Sequence, residues 1–124
     1  MTDLKTDDFQ KKVSHLIIRN QNVVDILTKC QSACSKICRS SVKTATGCGC
    51  LRIDVQKGLS PISSEELTGI SGELCPECKD IIEKEIGELF FYIAGLCNAL
   101  GLSMRDIMKK EIKNIEVLGK YSLR

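Results

Sequence analysis

The chain has 124 residues, a mass of 13.7 kDa and a formal net charge of +2. This length fits a single domain over residues 1–124, and the nearly balanced charge excludes the strongly basic surface typical of nonspecific binding to nucleic acid or acidic membranes. Aromatic residues make up only 4% and tryptophan is absent, so the core has to be built from Leu, Ile, Val and Cys, which favours packed helices over a β-sandwich.

The compartment follows from the N-terminal residues and the cysteine content. The first residues are acidic and lack the basic and apolar blocks of a signal peptide, and no run approaches the ~18 apolar residues that span a bilayer. We therefore expect a cytoplasmic protein with no membrane partner. Cytosolic thiols are normally reduced, so the eight cysteines predict metal ligands or core residues rather than a disulfide framework.

The first predicted element is a long helix over residues 7–46. It begins with acidic residues that suit a helix N-terminus, and neither Gly nor Pro interrupts it. A seam with alternating spacings of three and four runs along it: Val13, Leu16, Asn20, Val23, Leu27, Cys30, Cys34, Ile37 and Ser41. Such a helix is ~50 Å long, more than a small domain buries. We therefore predict a homodimer through this helix, with Asn20 either fixing the register or lying exposed at the edge of a bundle.

Cys30, Cys34 and Cys38 share one face of this predicted helix. Three thiolates on one face could hold a metal or a cluster. Free cysteine, however, behaves as a small hydrophobe and is among the most buried residue types. We therefore expect these side chains to fill the core, and any role beyond packing stays open.

Residues 47–78 are predicted to form a loop that needs a metal to hold it. Alternating apolar and polar residues over 51–55 predict one short strand, and Ser63 followed by Glu66 predicts a capping box ahead of a short helical turn. The segment has too few apolar residues to fold around its own core. Metal coordination at both ends would close the loop, because its binding free energy becomes folding free energy.

The ligands for this metal are two close pairs of cysteines, Cys48 with Cys50 and Cys75 with Cys78. Pairs of soft ligands at these spacings, beside glycine or proline, suit a tetrahedral thiolate site, with zinc favoured and an iron–sulfur cluster as the alternative. Four protein ligands leave no open position for water, so the site is interpreted as structural. A Cys-x-x-Cys at a helix start could instead be a redox dithiol.

The chain from Pro76 to about Gly119 is predicted to be a helical hairpin. Pro76 opens its first helix, and a wide apolar face continues until Gly101 stops it. Ser103 with Asp106 forms a capping box for the last helix. The sequence thus predicts an all-α fold, in which the long helix packs on this hairpin and the metal-pinned loop lies between them.

The run Glu-Ile-Gly-Glu-Leu-Phe-Phe-Tyr over residues 85–92 resembles the later helices of MazG-like all-alpha nucleoside triphosphate pyrophosphohydrolases. In that family a Glu-x-x-Asp pair and a Glu-x-x-Glu pair from an earlier helix hold magnesium, which polarises the α–β phosphate linkage for attack by water. Glu85 and Glu88 match the first pair. Between residues 9 and 45 the only acid is Asp25, and two carboxylates seldom hold the magnesium that phosphoryl chemistry needs. We therefore expect a shared bundle shape rather than a shared reaction.

The whole chain also resembles a group of small uncharacterised bacterial proteins. These combine a long first helix, a Cys-Gly-Cys, a Cys-x-x-Cys and a helix of the Leu-Phe-Tyr type. The resemblance supports the paired cysteines as a unit and implies no mechanism.

Three functions remain open at this point. We favour a small cytosolic metal-binding protein, with structural zinc, that acts as an interaction or regulatory module on a protein partner of unknown identity. The alternatives are a MazG-like, magnesium-dependent nucleotide pyrophosphohydrolase, degenerate or active, and a thiol or metal redox sensor.

Overall fold

The computed structural model describes residues 5–16, 22–54 and 69–121, and the side chains as far as residue 119. Within these ranges the chain is mostly helical, with a two-stranded ribbon. The elements are α1 (Thr6–Leu16), α2 (Val23–Lys43), a π-helical turn (Thr44–Cys48), β1 (Leu51–Ile53), β2 (Ile70–Gly72), α3 (Pro76–Leu100) and α4 (Met104–Tyr121). The predicted all-α fold with a short strand in the central segment, residues 47–78, is confirmed. The predicted capping box at residues 63–66, like Asn20, lies outside the described residues.

The helix predicted over residues 7–46 differs from the structure at Asn22, which lies outside both α1 and α2. Its side-chain Oδ1 accepts a hydrogen bond of 2.9 Å from the N–H of Asp25, and its carbonyl accepts one of 3.1 Å from the N–H of Ile26. Asn22 is therefore the N-cap of α2. An apolar seam indicates which face of a helix is buried, but it carries no signal for a capping side chain that starts a new helix.

Two compact units make up the fold: Met1–Cys30 with Phe90–Arg124, and Gln31–Leu89. We call them the terminal unit and the central unit. The prediction of a single domain over residues 1–124 stays a prediction.

The core of the terminal unit is small and lies among α1, the end of α3 and the start of α4. Buried Val13, Ala94, Cys97 and Met104 form it, and the half-buried rings of Phe9 and Phe91 pack against it. Burial raises the pKa of the Cys97 thiol, so this cysteine serves as the small hydrophobe that its type often is.

The turn between α3 and α4 follows the predicted pattern. Gly101 has φ of 72°, and the next N–H, of Leu102, donates to the carbonyl of Cys97 at 2.8 Å, closing α3 as in a Schellman motif. Ser103 then caps α4, because its Oγ accepts a hydrogen bond of 3.2 Å from the N–H of Asp106. Both the predicted stop and the predicted cap are confirmed.

Gln10 joins α1 to this turn, which the sequence does not indicate. Its Nε2 donates to the carbonyl of Leu102 at 2.7 Å and to Oδ1 of Asn98 at 2.9 Å, and its Oε1 accepts from the N–H of Met104 at 2.9 Å. One amide side chain thus satisfies groups at the end of α3 and at the start of α4.

The buried face of α2 is shifted from the predicted seam. Ile26 and Ala33 are buried in the structure, and positions of the same stripe at 30, 37 and 40 are half-buried. The predicted seam residues Val23, Leu27 and Cys34 are exposed. The actual stripe keeps the alternating spacing of three and four, but it is displaced by about one residue around the helix.

Candidate metal centre

The first cysteine pair lies in the turn that follows α2. Thr44 is completely buried, and its carbonyl accepts a hydrogen bond of 2.7 Å from the N–H of Gly49, five residues later. This wider bond makes the π-helical turn, a feature often found at functional sites. Gly49 itself has φ of 86°, which reverses the chain between Cys48 and Cys50.

A short antiparallel ribbon carries the chain from the first pair toward the second. In β1 and β2, Leu51 pairs with Gly72 and Ile53 pairs with Ile70. Cys50 immediately precedes this ribbon and Cys75 closely follows it. The register therefore brings the two ends of the central segment together.

The second pair is built on the start of α3. Cys75 is the N-cap: its carbonyl accepts a hydrogen bond of 2.9 Å from the N–H of Lys79, and its Sγ accepts one of 3.4 Å from the N–H of Cys78. A sulfur thus takes the place of the oxygen that Ser or Asp provides in other caps. Pro76 occupies the first helical position, where its missing N–H has no cost.

The four sulfur atoms come together at one point. The Sγ atoms of Cys48, Cys50, Cys75 and Cys78 all lie within 4.8 Å of one another, and those of Cys48 and Cys75 are 3.7 Å apart. Sulfurs at the corners of a tetrahedron around zinc, with Zn–S bonds of about 2.3 Å, are about 3.8 Å apart. The cluster can therefore hold a metal ion after small side-chain adjustments.

The electrostatics of the cluster favour one thiolate over the others. The N–H of Cys78 stabilises the Cys75 thiolate and lowers its pKa to about 7, helped by the Cys78 thiol. Sharing hydrogen bonds with Cys75 raises the pKa of Cys78 to about 12. For Cys48 the N–H of Cys50 favours the thiolate, but hydrogen bonds with the thiols of Cys75 and Cys50 outweigh it, and the pKa is raised. Binding of a metal cation would deprotonate the remaining thiols.

Access to the cluster is uneven. Cys48 is exposed, whereas the other three cysteines are half-buried. A groove of about 210 Å³ lies beside them in the central unit, lined by Ser40, Lys43, Gly47, Cys48, Cys78, Ile81 and Ile82. Small reagents therefore have a direct path to the Cys48 sulfur.

The remaining cysteines do not form a second cluster. Cys34 and Cys38 are exposed and Cys30 is half-buried. In the part of the chain that the structure describes, the only group of three or more close candidate ligands is the four-cysteine set. The prediction that Cys34 and Cys38 fill the core is wrong, because the buried stripe of α2 is displaced from the predicted seam.

The two carboxylates suggested by the MazG-like resemblance lie in the central unit, on α3. Glu88 Oε1 is 3.3 Å from Nζ of Lys36 on α2, and Oε1 of Glu85 is buried without a hydrogen-bond partner. Glu88 thus lies beside a positive charge on α2. Within the described residues no other acid joins Glu85 and Glu88 to form a three-ligand carboxylate group.

Sequence reasoning missed one residue that shapes the site, Gly72. It has φ of 93°, and a Cβ built on it would lie 2.7 Å from the carbonyl oxygen of Cys50. The glycine thus lets β2 approach the backbone of a candidate ligand. In the sequence Gly69, Ser71 and Gly72 surround Ile70, and these small residues resemble the end of a turn rather than a strand.

Comparison with protein-family models, curated proteins and solved structures finds no significant match to this chain. None of the described helices is by itself long and apolar enough to cross a membrane; α3 and α4 meet that test only as a pair, bent by 106°.

Proposed function

We propose that Cys48, Cys50, Cys75 and Cys78 bind one zinc ion that stabilises the fold, and that the protein is a small helical module acting through contacts with another protein. The observation that supports this proposal is the convergence of four sulfurs, from both ends of the central segment, within 4.8 Å. Thiols that must stay reduced to bind metal fit the cytoplasm, which we retain as part of the proposal.

The spacing of the sulfurs favours a single ion over a cluster. In an iron–sulfur cluster the four cysteines are divided among two or more irons, so some of their sulfurs lie farther apart than sulfurs that all share one ion. All four sulfurs here lie within 4.8 Å of one another, which fits a shared ion. Among ions that take four thiolates in a tetrahedron, zinc is the common one in closed structural sites.

A structural role follows from the ligand count and from the ribbon's small size. Four protein ligands leave no position for substrate or water. The ribbon has three residues in each strand, and Arg52, Ile53 and Ile70 are exposed. A ribbon of this kind is marginal in water without further support, so metal binding would contribute directly to folding.

An interaction role is supported by apolar side chains that the described chain leaves exposed. On α2, Val24 is 64% exposed and Leu27 is 46% exposed. Exposed apolar stripes on helices are typical of binding surfaces. The homodimer predicted through the first helical segment is the alternative use of this surface.

A redox sensor is the second candidate, and the exposure of Cys48 favours it. Oxidation of this thiolate would remove one ligand and loosen the site. The MazG-like reaction is the weaker alternative, since Glu88 pairs with Lys36 and magnesium bound by two carboxylates needs further oxygen ligands.

The test is elemental analysis of the unheated full-length protein, with two matched variants. Cys75→Ser removes a ligand but keeps an N-cap, because serine caps helices well. Cys34→Ser removes an exposed thiol outside the cluster. We expect about one zinc per chain in the wild type and in Cys34→Ser, and a large loss of zinc in Cys75→Ser.

Other results would support the alternatives. Bound iron with visible absorption would mean that the site holds an iron–sulfur cluster or a single iron in place of zinc. A wild-type protein that contains no metal would overturn the proposal. Zinc release by mild peroxide, reversed by thiol reductant, would support the sensor. Pyrophosphate release from nucleoside triphosphates with magnesium, abolished by both Glu85→Gln and Glu88→Gln, would support the pyrophosphohydrolase.

A further inference from the structure

We propose that the apolar face of α4 docks against α4 of a second copy of this chain, with the two helices antiparallel. Five exposed side chains line this face along α4, four residues or fewer apart: Ile107, Met108, Ile112, Ile115 and Leu118, exposed by 44 to 60%. This surface belongs to the terminal unit and contains no candidate metal ligand, so the inference does not depend on the proposed zinc site.

Among the described residues of its own unit, α4 has packing partners only along its first turn and a half. Met104 is buried, Arg105 Nη1 lies 3.5 Å from Oδ2 of Asp7, and Thr6 Oγ1 lies 3.6 Å from Sδ of Met108. Every described side chain of α4 beyond Met104 is exposed. Helices of this length draw most of their stability from packing of an apolar face, which the rest of α4 lacks among the described residues of the terminal unit.

The size of the surface fits a homodimer. The face continues into an apolar groove of about 200 Å³ that Phe9, Phe90, Met104 and Met108 line with Thr6. Phe90 is 50% exposed. At these exposures the five α4 side chains and Phe90 leave roughly 600 Å² uncovered, at the upper end of what monomers show. Two copies would bury roughly 1,200 Å², the lower end of stable interfaces.

Two pairs of polar residues beside the apolar face of α4 are placed symmetrically about a point between Ile112 and Lys113, and they favour a second copy as the occupant. Lys109 and Glu116 lie equally far from that point, one heptad apart on the same flank of the apolar face. In an antiparallel pair each would face its opposite in the other copy. A surface built for an unrelated protein has no reason to be complementary to itself.

A second polar pair repeats the symmetry. Glu111 lies within the apolar face and Asn114 at its edge, at equal distances from the same centre. Asn114 Nδ2 already lies 3.5 Å from Oε1 of Glu111 in the same chain. Antiparallel docking would bring each beside its counterpart in the second copy, where a polar contact amid apolar side chains fixes the register.

The same residues disfavour two other arrangements. A parallel pair would place Glu111 at the level of Glu111 in the second copy, where like charges repel. Insertion into a membrane surface would take Glu111 toward hydrocarbon, which is costly. The antiparallel pair gives this carboxylate a partner.

The test is sedimentation of the full-length, metal-loaded protein over a range of concentrations. We expect the wild type to be a dimer. Ile115→Glu, on the apolar face, should weaken the dimer by more than about 100-fold. Val117→Glu is the matched control, since Val117 is 54% exposed but lies on the opposite face of α4, and it should leave the dimer unchanged. Unaltered helix content and zinc content would show that both variants fold.

Orientation is tested by exchanging the charges. Lys109→Glu and Glu116→Lys should each weaken the dimer about fivefold, and the double variant should restore it.

A monomeric wild type would overturn the proposal. So would a dimer that withstands Ile115→Glu but dissociates on Leu27→Glu, which would place the interface on α2. Binding to mixed phosphatidylcholine–phosphatidylglycerol vesicles by a monomer, lost in Ile115→Glu, would also overturn it.

Discussion

At the residue scale, Gly72 and Gly49 show that the atoms around a glycine decide how much stability its substitution costs. Both have positive φ, but a Cβ on Gly49 meets nothing within 4 Å, whereas one on Gly72 meets the Cys50 carbonyl oxygen at 2.7 Å. We expect Gly49→Ala to cost about 1 kcal/mol of unfolding free energy, from backbone strain alone. Gly72→Ala should cost about 2 to 3 kcal/mol, because the clash adds to the strain.

Urea unfolding of the two variants measures this difference, and competition with a zinc chelator shows where it acts. Gly72→Ala should also lower the affinity for zinc, since the backbone that has to shift carries Cys50. Equal losses in the two variants would mean that the ribbon and the cysteine do not approach as closely as described.

The sequence carried much of the residue-scale information on the site, because ligand spacing is a local property. The pairing of Cys48 and Cys50 with Cys75 and Cys78 was predictable from the short gaps within each pair. The close approach of Gly72 to Cys50 was not, since it depends on strand register. The hydrogen bonds of Gln10 were equally hidden, because its partners lie about 90 residues away.

At the element scale, the start of α2 decides how the first helical segment is divided. If Asn22 is the cap, Asn22→Ala removes the hydrogen bond to the Asp25 N–H and should cost about 1 kcal/mol of unfolding free energy. If the helix instead ran through this position, alanine would stabilise it, because alanine has the higher helix propensity. The sign of the change in urea unfolding therefore distinguishes the two.

Gln31→Ala is the control, at an exposed position inside α2, and should change stability by less than about 0.5 kcal/mol. A stabilising Asn22→Ala would contradict the division into α1 and α2. The substitution leaves the four cysteines untouched, so zinc content should be the same as in the wild type.

Elements with end signals in the sequence were predictable, and those without them were not. Pro76, Gly101 and Ser103 mark ends of α3 and α4, and the structure confirms each of them. The face of α2 was misplaced because small and polar residues occupy its buried stripe. Thr44, the completely buried end of that stripe, carries no hydrophobic signal at all.

At the scale of the whole molecule, the two units have different sources of stability. The terminal unit has an apolar core around Val13, Ala94 and Cys97. In the central unit, by contrast, the ribbon has only three residues in each strand, and two of the candidate metal ligands flank it: Cys50 just before β1 and Cys75 just after β2. Composition alone could not predict this division, because cysteine counts as apolar whether it fills a core or binds a metal.

Chelation of the proposed zinc ion should therefore act locally, and hydrogen exchange can show which amides it protects. Without metal, the N–H of Asp54, bonded to the Gly69 carbonyl at 2.7 Å, should exchange on the order of 100-fold faster, because the ribbon loses its main support. The N–H of Leu102, bonded to the Cys97 carbonyl in the terminal unit, should keep its rate. Equal acceleration at both amides would mean that the metal stabilises the whole chain, and no change at either would mean that it supports neither unit.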